Sequence, residues 1–228
     1  MFEGKDGMRN KINEIGDNHI GSSARTPLRT DAFELSDKEK IDRIQESVKD
    51  ILETLGMDLE DDSLKGTPRR VANAFVDELF GGLHPEKKPK LSTFDNSYKY
   101  GEMLVEKNIT IYSTCEHHLF PIVGRAHVGY ISNGNVIGLS KMNRLVDYYA
   151  KRPQVQERLT MQVVQALQEA LGTQDVACVI DAKHLCVNSR GVRDIESSTV
   201  TSEFGGKFKE KETKREFLDY IKMDTDFE

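Results

Sequence analysis

Ser113-Thr114-Cys115-Glu116-His117-His118-Leu119-Phe120-Pro121 is the stretch on which the reading of this chain turns. It sets a cysteine and two of the six histidines side by side between two β-patterned runs. Val105, Ile109 and Ile111 lead in; Ile122, Val123, Val128, Tyr130 and Ile131 lead out. Cys115 and His118 can reach one tetrahedral ion from a bend but not from a straight strand, where their side chains diverge. A bend is therefore expected at this stretch, and Pro121 is compatible with it. Beyond Ile131, Ser132-Asn133-Gly134-Asn135 supplies an Asn-Gly turn into Val136-Ile137, so the region reads as an antiparallel hairpin series.

A second pair of donors lies downstream. Val176, Cys178, Ile180, Ala182, His184 and Cys186 fall on one side of a period-two strand running toward Arg190, so that its face changes from apolar to chemical. Cys115, His117, His118, His184 and Cys186 are five donors for at most four positions on one ion. Two thiolates and one imidazole would leave the fourth position to water, which is the arrangement of a catalytic zinc rather than a closed structural one. Zinc lowers the pKa of its water toward about 7, and histidine, titrating near about 6.5, can move the protons. Cys178, flanked by Val176 and Ile180, reads as a packed thiol, and His127 as a structural strand histidine.

Working outward, Ser36 and Glu39 form a capping box before Ile41, Ile44, Val48, Ile51, Leu52 and Leu55, a helix stopped at Gly56. Thr67-Pro68 opens a second helix with Val71, Ala74, Phe75 and Leu79, ended by Gly81-Gly82. Residues 82–101 read as a loop. Ser140 is expected to cap a helix through Leu145, Val146, Tyr148 and Tyr149. Pro153 breaks it, and a longer helix follows from Val155 to Gly172. Ser197 to Phe204 is a strand candidate and Glu212 to Met223 an amphipathic helix. The order predicts an α+β fold: an antiparallel sheet with helices packed on one side, preceded by an N-terminal helical pair. Residues 1–35, without sustained periodicity, are expected to be a mobile tail, and residues 36–228 a single catalytic domain. Within it, 36–100 hold the helices and loop, and 101–228 the sheet-and-helix core.

The 32 Lys and Arg against 38 Asp and Glu give a formal charge of −6, so no general field draws nucleic acid or an anionic membrane. Anion binding has to be local. Lys141 and Arg144 lie one turn apart at a helix start beside Ser140, and Arg70 and Arg190 are further cations suited to phosphate. Glu157, after Gln156 at another helix start, is explained by the helix dipole alone. Three cysteines form no disulfide framework and fit a reducing compartment, the cytoplasm by default. Nothing approaches the roughly 18 apolar residues of a membrane span.

Five motifs together resemble the GTP cyclohydrolase I family. They are Asp61-Asp62-Ser63-Leu64 with Thr67-Pro68-Arg69-Arg70, Ser113 to His118, Val136 to Arg144, Arg152 to Leu159, and His184-Leu185-Cys186 with Arg190-Gly191. They stand in the family's order over roughly residues 36 to 222. The resemblance implies a tunnelling-type fold in a homodecamer of two face-to-face pentamers, with active sites at subunit interfaces. It implies conversion of GTP and water to 7,8-dihydroneopterin triphosphate and formate, the first step of tetrahydrofolate-type pterin biosynthesis.

By the same resemblance one zinc per subunit is bound by Cys115, His118 and Cys186, while His117, His184 and Ser140 serve catalysis. His184 protonates guanine N7 during hydration at C8, and His117 assists opening of the ribose. Gln156 and Glu157 hold the guanine edge, and Lys141, Arg144, Arg190 and Arg70 hold the triphosphate. Leu185 stands where some members have tyrosine. Two other readings compete: a non-catalytic zinc module closed by His117, His184 or Cys178, and a tunnelling-fold nitrile reductase, which needs an unligated nucleophilic cysteine.

Overall fold

The computed structural model describes residues 22–224. Helix α1 (Asp37–Thr54) starts at the expected capping box: the Ser36 side chain accepts from the Glu39 N–H, and the Glu39 carboxylate accepts from the Ser36 N–H at 2.9 Å. Gly56, at φ +81°, turns the chain away after it. Helix α2 (Thr67–Asn73) begins with Pro68 in its first turn and widens into a π segment over Ala74–Leu79. The two helices are tied by Arg69 to Asp42 at 2.6 Å. Strand β1 (Thr93–Asp95) lies inside the stretch expected to be loop.

The sheet follows from β2 (Met103–Cys115) and β3 (Pro121–Ile131), antiparallel neighbours joined through the Cys115 turn. Strand β4 (Asn135–Ile137) does follow an Asn-Gly turn, with Gly134 at φ +94°, but it pairs with β1 rather than continuing the hairpin. The Ser132 hydroxyl donates to the Asn135 carbonyl at 2.8 Å and accepts from Asn96, steering the chain off the main sheet. Next come α3 (Leu139–Ala150), β5 (Pro153–Gln154) and α4 (Gln156–Leu171), whose C-cap is Gly172 at φ +66°. Strand β6 (Val176–His184), the single helical turn α5 (Leu185–Asn188), β7 (Thr199–Phe204) and α6 (Lys211–Lys222) complete the described chain. The five-stranded sheet has the order β5-β2-β3-β6-β7 and is antiparallel apart from the short β5 edge. The fold is α+β and consistent with the tunnelling type.

Helices α3 and α4 cover one face, where Met142, Leu145, Val146, Leu159, Val163 and Leu167 meet strand residues such as Ile111, Ile122, Val128, Cys178 and Ile180. Phe208 and Phe217, the latter on α6, pack under the other face against Met103, Ala177 and Val179. One irregularity decides which side chains reach which face. Between Glu106 and Ile109 the β2–β3 register slips, three steps on β2 matching two on β3 (Glu106↔Val128, Ile109↔Ala126), with Asn108 at φ +60°. A single inserted residue reverses every later side chain. Met103 and Val105 therefore belong to the α6 side, whereas Ile109, Ile111 and Cys115 belong to the α3/α4 side. The Asn108 N–H donates to His127 Nδ1 at 3.4 Å, giving that histidine a structural place.

Of the segment expected to be a mobile tail, residues 1–21 lie outside the described residues. Further on, the Ser23 carbonyl accepts from Arg158 at 2.7 Å and the Thr26 hydroxyl from Arg152 at 3.2 Å. Arg152 also stacks on Tyr148 and Tyr149 and donates to the Gly82 carbonyl at 2.7 Å, and the Gly82 N–H donates to Lys151 O at 2.9 Å. This is where the N-terminal helices dock on the core. A Cβ at Gly82 would clash with the Tyr148 carbonyl and stand 2.8 Å from that of Lys151. Gly82→Ala is expected to destabilise the fold by about 1–3 kcal/mol, since backbone is what must move; denaturant unfolding checks it.

Candidate metal centre

The bend expected from Cys115 and His118 exists. The Cys115 N–H donates to Phe120 O at 2.8 Å, the Leu119 N–H returns to Cys115 O at 2.9 Å, and Leu119 takes φ +55°. This tight turn lifts His117 and His118 to the surface, while Cys115, the last residue of β2, stays buried. On the adjoining strand the register pairs Ile122 with His184, so His184 ends β6 on the same face as Cys115.

Cys186 arrives differently from the expectation. The strand stops at His184, and Cys186 sits on the helical turn α5 rather than on a continuing strand face. Asn188 explains the change: its buried side-chain amide donates to the carbonyls of Asp194 and Ser197, folding the following loop back, and Ser189 Oγ donates to Leu185 O at 2.5 Å. Leu185 likewise belongs to this turn, not to a period-two strand. The outcome is that Cys115, His118 and Cys186 bring one donor atom each to within 4.8 Å of one another. That is little more than the roughly 3.8 Å edge expected of a tetrahedron with about 2.3 Å zinc–sulfur bonds. Among the described residues this is the one such group of three or more, and Cys178 is locked in the core instead, its thiol pushed up by burial.

The electrostatics favour a bound cation. Burial would raise the Cys115 thiol, but hydrogen bonds from His184, the His117 backbone, Cys186 and the His117 ring outweigh it and bring it down to about 6. Cys186 moves the opposite way, raised by burial and then by its neighbour Cys115. One thiol is thus pre-ionised and the other protonated, a pair that a metal ion would convert to two thiolates.

The remaining predicted site residues divide into those at this centre and those apart from it. His117 Nδ1 is 3.7 Å from Cys115 Sγ. His184 Nε2 is 2.8 Å from Gln156 Oε1. The Gln156 amide nitrogen donates to Ile180 O at 3.1 Å, Thr199 O at 2.8 Å and Thr201 Oγ1 at 3.1 Å. Its donors are spent inside the protein, so Oε1 accepts and His184 Nε2 carries the proton. Gln156, only 1% exposed, is a partner of His184 here. Glu157 beside it is exposed on the first turn of α4. Arg190, in the loop after α5, is near enough for its charge to lower the Cys186 thiol against burial.

Ser140 is not a cap: the N-cap of α3 is Gly138, whose carbonyl accepts from the Lys141 N–H at 2.8 Å. Ser140 and Arg144 are exposed and Lys141 half-buried at the start of that helix. No hydrogen bond or ion pair ties them to the thiols among the described residues. Arg70 folds back on its own helix start, donating to Ser63 O at 3.2 Å and Thr67 Oγ1 at 3.0 Å.

Two residues that sequence reasoning passed over stand at the centre's edge. Arg158 donates to Glu116 through both terminal nitrogens, at 2.6 and 3.2 Å. Its side chain is 2% exposed. The available signal was a charge on the apolar stripe of α4, next to Leu159, where only a paired arginine can sit.

Comparison with known proteins places the chain. The model of the GTP cyclohydrolase I family matches residues 44–222, well over half of it. The chain is 76% identical to GTP cyclohydrolase 1 of Flavobacterium johnsoniae over 216 residues, covering 95% of this chain and 97% of that protein. It is 50% identical to the enzyme of the same name from Yersinia enterocolitica over 200 residues, 87% of this chain and 90% of that one. The Aeromonas salmonicida enzyme is 50% identical over 198 residues, 86% and 90% of the two chains. With a family model matching most of its length and relatives of that name up to 76% identical, the chain belongs to the GTP cyclohydrolase I family.

Proposed function

We propose that the chain converts GTP and water to 7,8-dihydroneopterin triphosphate and formate, with one zinc ion per subunit held by Cys115, His118 and Cys186. The observation that carries this reading is the three-donor group, two thiols and one imidazole, with one thiol already lowered toward thiolate. That donor set suits zinc and leaves a coordination position for water. When bound, zinc would supply water of lowered pKa and electrophilic assistance at the carbon being hydrated. A closed structural site would need a fourth donor, which Cys178 cannot supply from the core.

The chain's own residues then have these tasks. His184, held by Gln156, exchanges a proton with guanine N7 while C8 is hydrated. A second hydration releases formate. His117, beside Cys115, assists opening of the ribose, with Ser140 near that sugar. Rearrangement of the opened sugar and ring closure with loss of water complete the pterin. Exposed Glu157 accepts from the guanine N–H edge with Gln156 beside it, Gln156 also holding His184. Lys141, Arg144, Arg190 and Arg70 take the triphosphate, several of them from a neighbouring subunit.

A ring of subunits, two pentamers face to face, fits the sheet. Within the described chain β2 is paired on its outer side only at Thr114 and Cys115, and β7 has a partner on one side only. Such edges are satisfied by pairing with another copy, and the exposed Tyr112 and Val200 beside them would be covered. The three cysteines are free thiols, which fits a cytoplasmic enzyme. Among the described residues no helix is long and apolar enough to cross a membrane. The pterin product would enter tetrahydrofolate-type biosynthesis.

The direct test is incubation with GTP, following formate and the fluorescent pterin formed on oxidation; a zinc chelator should abolish both, and persistence of activity in metal-free protein would refute the metal assignment. His184→Ala should keep one zinc per chain and lose formate release by about 10²–10⁴-fold, whereas Cys186→Ser should lose the metal, as metal analysis of both variants will show. The pH dependence of metal affinity follows from the thiols. Above pH about 6 binding displaces the Cys186 proton but finds Cys115 ionised; below it both thiols must lose protons. The logarithm of the affinity should therefore fall more steeply with decreasing pH below about 6, measured by competition with a chromogenic chelator.

A further inference from the structure

The turn that carries Cys115, His117 and His118 is anchored from one side. Glu116, inside that turn, has its N–H on the Gln154 carbonyl at 3.0 Å, and its carboxylate receives the two-pronged bond from Arg158. The same carboxylate is 4.0 Å from His117 Nε2, and His117 Nδ1 is 3.7 Å from Cys115 Sγ. Arg158 is itself fixed by its Nε–H on the Ser23 carbonyl at 2.7 Å. The contacts run from residue 23 through Arg158 and Glu116 to His117 and the Cys115 thiol.

Arg158 lies two residues beyond Gln156, which holds His184. The first turn of α4 therefore bonds one non-ligand histidine, His184, directly and fixes a carboxylate 4.0 Å from the other, His117. A planar guanidinium bonded to both oxygens of a carboxylate fixes that carboxylate in plane and direction, which an ammonium cannot do.

We infer that Arg158 is a positioning residue for the reaction: through Glu116 it sets the orientation of His117 and of the turn that carries Cys115 and His118. It touches neither metal nor substrate. The inference rests on the reading of the Cys115 centre as a metal-dependent active site.

The test compares Arg158→Gln, Arg158→Lys and Glu116→Gln in the full chain loaded with Co²⁺ or Zn²⁺. Three quantities are read: kcat and KM for GTP, the visible spectrum of the Co²⁺ form, and the rate of metal release to a chelator. Arg158→Gln should lower kcat about 10–100-fold, release metal about 10-fold faster and shift the Co²⁺ bands, while KM and metal stoichiometry hold. Arg158→Lys, which keeps the charge and loses the fork, should resemble Arg158→Gln more than the parent chain. Should Arg158→Gln fail to fold, Glu116→Gln, of the same shape, carries the same measurements.

Parent-like kcat, spectrum and release rate in the folded variants overturn the inference. So does full rescue by lysine, which would make the pair a charge balance only. A parent chain that releases no formate from GTP would defeat the proposed activity instead, and the Co²⁺ spectrum and release rate would still decide the role of Arg158.

Discussion

The centre depends first on the register of β2 against β3. Cross-strand pairing aligns Ser113 with Ile122 and Ile122 with His184, which sets one row of side chains across the sheet at the end where the Cys115 turn emerges. The single-residue slip between Glu106 and Ile109 determines which face that row occupies. Without it, the parity of β2 would carry Cys115 to the Phe217 side while His184 remained on the α4 side, and no ion could join them. The bulge lies in the half of the strand away from the chemistry, and it acts through the backbone register it sets.

The second determinant is the opening turn of α4. A buried arginine is costly unless its charge and donors are met, and here Glu116 and the Ser23 carbonyl meet them. Removing one partner of such a pair costs about 3–5 kcal/mol, because the other charge stays buried. That cost holds residue 116 against the helix. Gln156 performs the matching task on the other flank with a neutral amide, sharing its donors among the β6 and β7 strands and its oxygen with His184. The two thiols between these flanks respond in opposite directions, Cys115 lowered by its hydrogen bonds and Cys186 raised by burial and its neighbour. The asymmetry follows from the folds that deliver them: a strand end beside two histidines, and a helical turn behind it.

Much of the architecture is legible in the sequence. The capping box at Ser36, the helix stop at Gly172 and the alternation of Val176 to Ala182 are patterns carried by neighbours in the chain, and each forms the expected element. The donors Cys115, His118 and Cys186 were also legible as chemistry, though their selection from five candidates needed family resemblance. What escaped depends on distant contacts. An Asn-Gly turn predicts a reversal, yet β4 pairs with β1, some forty residues back, because Asn96 and Ser132 redirect it. The helical turn at Cys186 depends on Asn188 reaching Asp194 and Ser197.

The sequence by itself determined the helices, most strand positions and the kinds of donor available, because propensity, capping and side-chain chemistry act within a few residues. Only the tertiary structure decided the face that Cys115 occupies, the turn that returns Cys186, and the pairing of Arg158 with Glu116. Each of those is an agreement between segments far apart in the chain, set by register and by the need to satisfy buried charge and backbone groups, and no local pattern encodes it.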